Sequence, residues 1–315
     1  MHLAILGATS QIAKDLILSF MADGQHELSL FSRRPEAITA WLEANKLDAS
    51  ALHSAAFEDF NEGAEYDAII NFVGVGNPAQ AVQMGASIFD VTLKYDAMAL
   101  SYLQNHPHCR YIFLSSGAAY GSSFQEPVTR SSQAIVALND FQPHDWYAMA
   151  KLYAECRHRA LPDHAIVDVR VFNYFSRTQD MSARFLISDI LRAIRDGSVL
   201  MTSADYIVRD YMSAADFAQL VSAVLNAPPE NAALDCYSLE PVDKPALLAA
   251  MQEEFDLKYE ITRSSVAVNA TGGKPYYYSL NKRAADFGYC PSTTSLQGVL
   301  QEARAILSVP GEAAV

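Results

Sequence analysis

Short apolar runs alternate with longer amphipathic segments through the first half of the chain, and this alternation constrains the fold more than any other sequence feature. The runs at residues 3–7, 28–31, 67–74, 111–116 and 165–172 are typical of strands. The segments between them carry apolar residues at helical spacing, and the first of these closes on Gly24, a residue favoured at helix ends. The pattern predicts an α/β fold with a doubly wound, Rossmann-type parallel sheet.

From about residue 175 the rhythm changes to helical segments separated by brief strand-like runs such as SVLMT and KYEIT. We therefore expect a smaller, mixed α/β lobe after the sheet. The predicted dinucleotide-binding domain covers residues 1–172 and is completed by 212–238; the predicted substrate-binding lobe covers 173–211 and 239–308, and 309–315 form a tail.

Charge and cysteine content exclude several classes of protein. A formal net charge of −13 disfavours a nucleic-acid partner, whose phosphates would repel the protein. The N-terminus lacks a basic region followed by a long apolar segment, so we expect neither secretion nor membrane spanning. The cysteines lack metal-ligand spacing, which indicates reduced thiols in a cytoplasmic protein without a metal site; they are Cys109, Cys156, Cys236 and Cys290.

The first strand runs into the segment GATSQIA and then into a helix, an arrangement that brings a dinucleotide pyrophosphate to helix N-terminal amides. Only Gly7 keeps a glycine of the usual fingerprint, while Ser10 and Ala13 stand at the second and third glycine positions. The candidate pyrophosphate-binding residues are Gly7, Thr9, Ser10, Gln11 and Ile12.

The second strand ends in LFSRR, where a side chain should reach the adenosine ribose. An acidic residue there would select the 2′-hydroxyl of NAD. Ser32, Arg33 and Arg34 instead offer a hydroxyl and guanidinium groups, which suit a 2′-phosphate. The sequence therefore favours NADP(H), with NAD(H) possible.

Residues 145–155 read DWYAMAKLYAE, a segment of high helix propensity that places Tyr147 four residues before Lys151. On a helix these side chains share one face. A nearby ammonium stabilises a phenolate, so the pair is suited to proton transfer. The alternative is that the tyrosine packs and the lysine extends to solvent.

Several motifs occur in the order found in one enzyme family: GATSQIA, INFVG, FLSSGAAYG, YAMAK, RVFN and VRDYMSAADFA. The chain thereby resembles the extended short-chain dehydrogenase/reductases, in particular their NAD(P)-dependent epimerase/dehydratase branch, which mostly acts on nucleotide sugars. The resemblance extends from Met1 to about Leu300. It implies an enzyme with a nicotinamide cofactor and a nucleotide-sugar substrate, and we also expect a homodimer.

The resemblance assigns roles to individual residues. Tyr147 would be the general acid/base, and Lys151 would lower its pKa and hold the nicotinamide ribose. Ser116 would orient the substrate oxygen, with Ser115 as the adjacent alternative. Asn173 would contact the substrate phosphates or nearby backbone.

Further positions carry open alternatives. The resemblance places Arg209 near the substrate phosphates, or else it pairs with a neighbouring aspartate, Asp210 or Asp216. Val73 and Gly74 end a strand where the cofactor would pass, although a close-packed strand end also favours glycine. Asp59 is a candidate adenine contact.

The reaction type is limited by Gly117 and Ala118, which occupy the positions where sugar dehydratases of this family carry acidic residues. Neither can transfer a proton, so dehydration is not expected, and Ala118 also disfavours the dual epimerase–reductase chemistry of GDP-fucose synthases. The leading hypothesis is an NADPH-dependent reductase of a keto group on a nucleotide-activated deoxysugar. Arg33 and Arg34 favour NADP(H), and a reductase consumes NADPH whereas an epimerase regenerates its own cofactor. The alternatives are a nucleotide-sugar 4-epimerase and a non-catalytic NADP-sensing regulator.

Overall fold

The computed structural model describes residues 1–48, 52–60, 63–75, 83–121, 124–262 and 274–308. The predicted tail, residues 309–315, lies outside the described residues.

The strands, in chain order, are β1 (His2–Leu6), β2 (Glu27–Ser32), β3 (Leu52–Ala56), β4 (Ala68–Asn71), β5 (Arg110–Ser116), β6 (Ile166–Val171), β7 (Asn173–Tyr174), β8 (Val199–Ser203), β9 (Val208–Arg209), β10 (Tyr211–Met212), β11 (Ala232–Asp235), β12 (Val242–Asp243), β13 (Lys258–Thr262) and β14 (Tyr276–Tyr277). The α-helices are α1 (Gln11–Asp23), α2 (Pro35–Ala44), α3 (Ser87–Asn105), α4 (Trp146–Arg159), α5 (Leu186–Asp196), α6 (Ala214–Asn226), α7 (Lys244–Phe255) and α8 (Ser295–Ser308). Short 3-10 helices cover Phe57–Asp59, Gly117–Tyr120, Leu138–Asp140, Pro143–Asp145 and Arg283–Phe287. Within the described part of the chain, no helix is long and apolar enough to cross a membrane.

A parallel sheet organises the larger lobe, and its strand order among the described residues is β3-β2-β1-β4-β5-β6-β11. The order reverses beside β1, which confirms the doubly wound α/β prediction. The sequence pattern did not indicate β3 or β11. Their sequences, LHSAA and AALD, contain few large apolar side chains, and pairing with β2 and β6 decides their conformation.

Helices cover both faces of this sheet. On one face α1 and α6 bury Leu16, Phe20 and Phe217 against the strands. On the other face α3 buries Tyr95 and Leu103. The strands are thus shielded on both sides, as their continuous apolar sequences require.

In the described part of the chain, the smaller lobe is built from short strand pairs and three α-helices. Among the described residues, β12, β9 and β14 form one sheet, while β7 pairs with β10 and β8 with β13. Helices α5, α7 and α8 share a separate apolar core, represented by Leu191, Leu248 and Ala303. This lobe is mixed because β12 pairs antiparallel to β9 and β14 pairs parallel to it.

Helix α4 is fixed to the sheet by buried charges. His158 is fully buried, and its Nε2 and Nδ1 lie 2.7 Å from Asp96 of α3 and 2.6 Å from Asp168 of β6. Burial lowers the pKa of His158, but both carboxylates raise it, and the pKa reaches about 9. The imidazolium therefore joins α3, α4 and β6 at neutral pH.

We expect His158→Gln to lower the free energy of unfolding by about 3–5 kcal/mol near pH 6, because two buried carboxylates lose their shared cation. The folded-state pKa is raised above the unfolded value of about 6.5, so this stabilisation is complete below that value and is lost as pH rises through about 9. Urea denaturation at about pH 6, 8 and 10 measures the difference between variant and wild type. The exposed His108→Gln is the control, and a pH-independent difference would contradict the assignment.

Candidate active site

A cavity of about 420 Å³ lies at the carboxyl ends of the central strands, between the sheet and the smaller lobe. This is the crevice in which open α/β sheets bind ligands. The structure brings many of the predicted site residues together in its wall: Ser10, Gln11, Ile12, Gly74, Ser116, Tyr147, Lys151, Asn173 and Arg209.

The turn after β1 is shaped for close approach of a ligand. Gly7 has φ +78°, and a Cβ there would lie 3.0 Å from backbone atoms of Phe72 and Val73. Thr9 lies in the same turn, and Ser10 caps α1 by accepting a hydrogen bond from the Ala13 N–H at 3.4 Å. The α1 N-terminus therefore opens beside the cavity, and the turn fits a dinucleotide pyrophosphate.

The end of β2 carries the residues predicted to meet the adenosine ribose. Ser32 is buried, and its hydroxyl accepts a hydrogen bond from the Arg34 backbone N–H at 3.1 Å. The side chains of Arg33 and Arg34 are exposed. Asp59 follows β3 and is exposed, with its carboxylate accepting the Ala56 N–H at 3.3 Å. Ser32 thus supports the local turn, whereas the two guanidinium groups face solvent.

The end of β4 passes close to α4, the helix that carries Tyr147 and Lys151. The Val73 N–H donates to the Asn71 side chain at 2.8 Å, which fixes the turn. A Cβ at Gly74 would lie 3.2 Å from the Lys151 Nζ. A side chain at position 74 would push against the Lys151 ammonium. Glycine here therefore keeps the space beside Lys151 open and also suits the packing of the strand end.

Ser116 and Tyr147 bring two hydroxyl groups together. Ser116 is the last residue of β5, and its hydroxyl accepts the Ala118 N–H at 3.1 Å. Burial raises the pKa of Tyr147, while the nearby Ser116 hydroxyl opposes the rise. Ser115, the alternative, donates instead to the carboxylate of Glu155. Ser116 is therefore the serine whose hydroxyl faces the phenol.

Lys151 is buried one helical turn after Tyr147. Its ammonium donates to the Leu114 carbonyl at 2.6 Å and lies 4.4 Å from the centre of the Phe113 ring. Burial lowers the pKa of Lys151 to about 8, although Glu155 and other acidic groups raise it. Burial is the main influence on the Tyr147 pKa in this structure, and its lowering by Lys151 stays a prediction.

The predicted substrate contacts come from β7 and β9. The Asn173 amide donates to the carbonyls of Tyr277 at 3.2 Å and Asp210 at 3.4 Å. Arg209 is buried, and its guanidinium donates to the Lys274 carbonyl at 2.8 Å. Both side chains line the cavity while bracing the segment around β14.

The aspartates proposed as alternative partners of Arg209 bind other groups. Asp210 accepts hydrogen bonds from the Ser238 N–H and the Ser295 hydroxyl. Asp216 accepts the N–H and hydroxyl groups of Ser292. These carboxylates anchor the C-terminal segment of the smaller lobe.

Two contacts at the site were not predicted from the sequence. Gln11 donates through its side-chain amide to the hydroxyl of Ser176 at 3.0 Å, which connects α1 with the smaller lobe. The Tyr277 hydroxyl lies 3.3 Å from Ser116 Oγ. The sequence YYYS at residues 276–279 indicates a strand but not which tyrosine enters the cavity.

Gly117 lies against an aromatic ring that leaves no space for a side chain. A Cβ at this position would lie 2.4 Å from Cδ1 of Phe172. Ala118 is buried, and the described residues contain no cluster that could hold a metal ion. Among the lining residues predicted to take part in catalysis, Ser116 supplies a hydroxyl, Tyr147 a phenol and Lys151 an ammonium.

The sequence matches a family model described as the NAD dependent epimerase/dehydratase family over residues 3–238. The chain belongs to this family. The family consists of enzymes, which argues against a non-catalytic sensor. No curated protein matches the sequence.

Solved structures similar to this family member share its fold over nearly the whole chain. A UDP-glucuronic acid 4-epimerase from Bacillus cereus, in complex with UDP-glucuronic acid and NAD, has 12% identity and a TM-score of 0.75, with 97% of this chain and 99% of that chain covered. A UDP-glucose 4-epimerase from Bifidobacterium longum, in complex with NAD+ and UDP, has 16% identity and a TM-score of 0.74, with 97% and 98% covered. A dTDP-glucose 4,6-dehydratase from Bacillus anthracis, in complex with NAD, has 13% identity and a TM-score of 0.72, with 96% of each chain covered.

We expect Gly117→Ala to lower the free energy of unfolding by about 1–3 kcal/mol, because the added methyl group must displace the Phe172 ring. Thermal unfolding measures the loss. Gly298→Ala is the matched control, since its Cβ would lie 3.6 Å from Ser213 and would raise helix propensity in α8. Equal melting temperatures for wild type and Gly117→Ala would contradict the steric argument.

Proposed function

We propose that this protein is a nucleotide-sugar 4-epimerase that works with a nicotinamide dinucleotide. The observation that carries the proposal is the meeting of Ser116, Tyr147 and Lys151 in one cavity with residues of the smaller lobe. Gly117 and Ala118 place no carboxylate beside them, which disfavours dehydration. The similar structures include several 4-epimerases, which supports epimerisation over one-way reduction.

The turn from Gly7 to Ile12 would hold the pyrophosphate, and the end of β2 would meet the adenosine ribose. The Val73–Gly74 turn lies along the path between them and the catalytic helix. A bound nicotinamide supplies reversible hydride acceptance from the sugar carbon. Lys151 would hold the nicotinamide ribose and place its positive charge near Tyr147.

Tyr147 performs the proton transfers of the proposed reaction. It takes the proton of the C4 hydroxyl as that carbon is oxidised, and it returns the proton when the 4-keto sugar is reduced on its other face. Ser116 donates a hydrogen bond to the same substrate oxygen. Arg209 and Asn173 also line the cavity and would contact the substrate phosphates.

A second candidate is reduction of a keto sugar with consumption of NADPH. It is favoured by Arg33 and Arg34, whose exposed guanidinium groups suit a 2′-phosphate. The catalytic groups serve both reactions equally. The two candidates differ in whether the cofactor is regenerated on the same substrate or leaves in its oxidised form.

We expect the purified enzyme to interconvert a nucleotide sugar with its C4 epimer, without net change in cofactor oxidation state. Incubation with UDP-glucose, UDP-glucuronic acid and UDP-N-acetylglucosamine, followed by product NMR and cofactor absorbance, tests this. Tyr147→Phe should lower turnover by about 10²–10⁴-fold, because the proton carrier is lost, while cofactor binding is retained. Tyr153→Phe, exposed on the same helix, is the control. Stoichiometric NADPH oxidation with a 4-keto sugar, without epimerisation, would favour the reductase.

The cofactor preference is tested separately. We expect Arg33→Ala to weaken NADP(H) binding by about 1.5–3 kcal/mol and NAD(H) binding much less, because only NADP(H) carries the 2′-phosphate. Calorimetric titration of both cofactors measures the two losses. Arg195→Ala removes an exposed arginine of α5 and serves as the control. Equal weakening of both cofactors would contradict recognition of the phosphate.

A further inference from the structure

Tyr277 extends from β14 of the smaller lobe to the catalytic serine. It is 4% exposed, and its hydroxyl lies 3.3 Å from Ser116 Oγ. The rings of Phe124 and Phe172 pack against it edge-on, with centroid distances of 4.7 Å and 5.3 Å. Its hydroxyl is therefore fixed at the base of the cavity.

The backbone around Tyr277 is anchored to both lobes. On β9, Arg209 pairs with it in parallel register, and the Asn173 side chain donates to its carbonyl at 3.2 Å. Two residues later, the Ser279 hydroxyl donates to the buried Asp235 of β11 at 2.6 Å. The phenol is thus positioned by the smaller lobe and by the edge of the large sheet.

The hydrogen-bonding capacity of Ser116 gives this contact a direction. A serine hydroxyl has one proton to donate and two lone pairs to accept. The Ala118 N–H occupies one lone pair at 3.1 Å. If the Tyr277 hydroxyl donates to the second lone pair, Ser116 can form a further hydrogen bond only by donating its own proton. That proton then points toward Tyr147 and the substrate oxygen.

The surroundings of Tyr277 favour donation by its hydroxyl. The Lys274 ammonium lies 4.5 Å from the ring centre, and the Arg209 guanidinium carbon lies 6.0 Å from it. Positive charge beside a phenol strengthens its O–H as a donor. Burial raises the pKa of Tyr277, although its hydrogen bond to Ser116 lowers it, so the proton stays on the phenol.

We propose that Tyr277 is a positioning residue that donates to Ser116 and thereby directs the Ser116 proton at the reacting oxygen. The full catalytic rate then depends on the smaller lobe, because that lobe supplies the donor. The inference rests on the proposed epimerase function for its reaction, while the contact between the two hydroxyls stands independently of the substrate.

A double-mutant cycle tests the inference. Tyr277→Phe should lower kcat about threefold to tenfold, the equivalent of one hydrogen bond, with the dissociation constant for NAD unchanged. Added to Ser116→Ala, the same substitution should have no further effect, because Tyr277 acts only through Ser116. Tyr276→Phe is the matched control, since neighbouring strand residues point to opposite faces.

Independent losses that multiply in the double variant would overturn the inference in favour of a purely structural role, and so would an unchanged kcat in Tyr277→Phe. Inactivity of the wild type toward every sugar would instead reject the proposed function. In that case, ultraviolet titration of the phenols decides: the titration step removed by Tyr147→Phe should lie at higher pH in Tyr277→Phe than in wild type, because Ser116 then supports the phenolate less. An unchanged step would reject the inference.

Discussion

The buried ionic face of α4 is the constraint on which the site depends. Lys151, Glu155 and His158 follow one another at helical spacing, and each is almost fully buried. Buried charges are tolerated only with well-placed partners, and these come from α3, β5 and β6. Such partners specify the rotation and position of the helix more strictly than apolar contacts would. Tyr147, one turn before Lys151, is consequently directed into the cavity.

The hydrogen bonds of the buried charges on α4 continue to the smaller lobe. Glu155 binds Arg170 of β6, which donates to the Tyr120 hydroxyl at 2.7 Å. Tyr120 donates to Asp235, the carboxylate that also accepts the Ser279 hydroxyl. Helix α4 and the segment carrying Tyr277 are therefore joined by consecutive hydrogen bonds. The smaller lobe therefore contacts neighbouring serines at the end of β5 by two routes, Ser115 through Glu155 of this network and Ser116 through the Tyr277 hydroxyl.

The reactions that Ser116 and Tyr147 could support follow from the residues that surround them. The Phe172 ring fills the space beside Gly117, so a carboxylate side chain at position 117, next to Ser116, would fit only if this ring moved. In the proposed reactions one phenol and one serine hydroxyl would suffice for the proton transfer at a carbinol carbon, while a bound nicotinamide would exchange the hydride. The two proposed reactions differ in whether the cofactor is regenerated on the same substrate, and the proton-transferring groups serve both equally.

The sequence by itself determined the order of most elements, the tight turn after β1 and the shared face of Tyr147 and Lys151, because periodicity and i,i+4 spacing are local properties of the chain. Tertiary structure alone decided that β3 and β11 are strands, that Lys151 binds the Leu114 carbonyl and that burial raises the pKa of Tyr147. It also placed Tyr277 beside Ser116, a contact between residues 161 positions apart. Burial and long-range hydrogen bonds depend on how separate elements pack, and no local spacing encodes that arrangement.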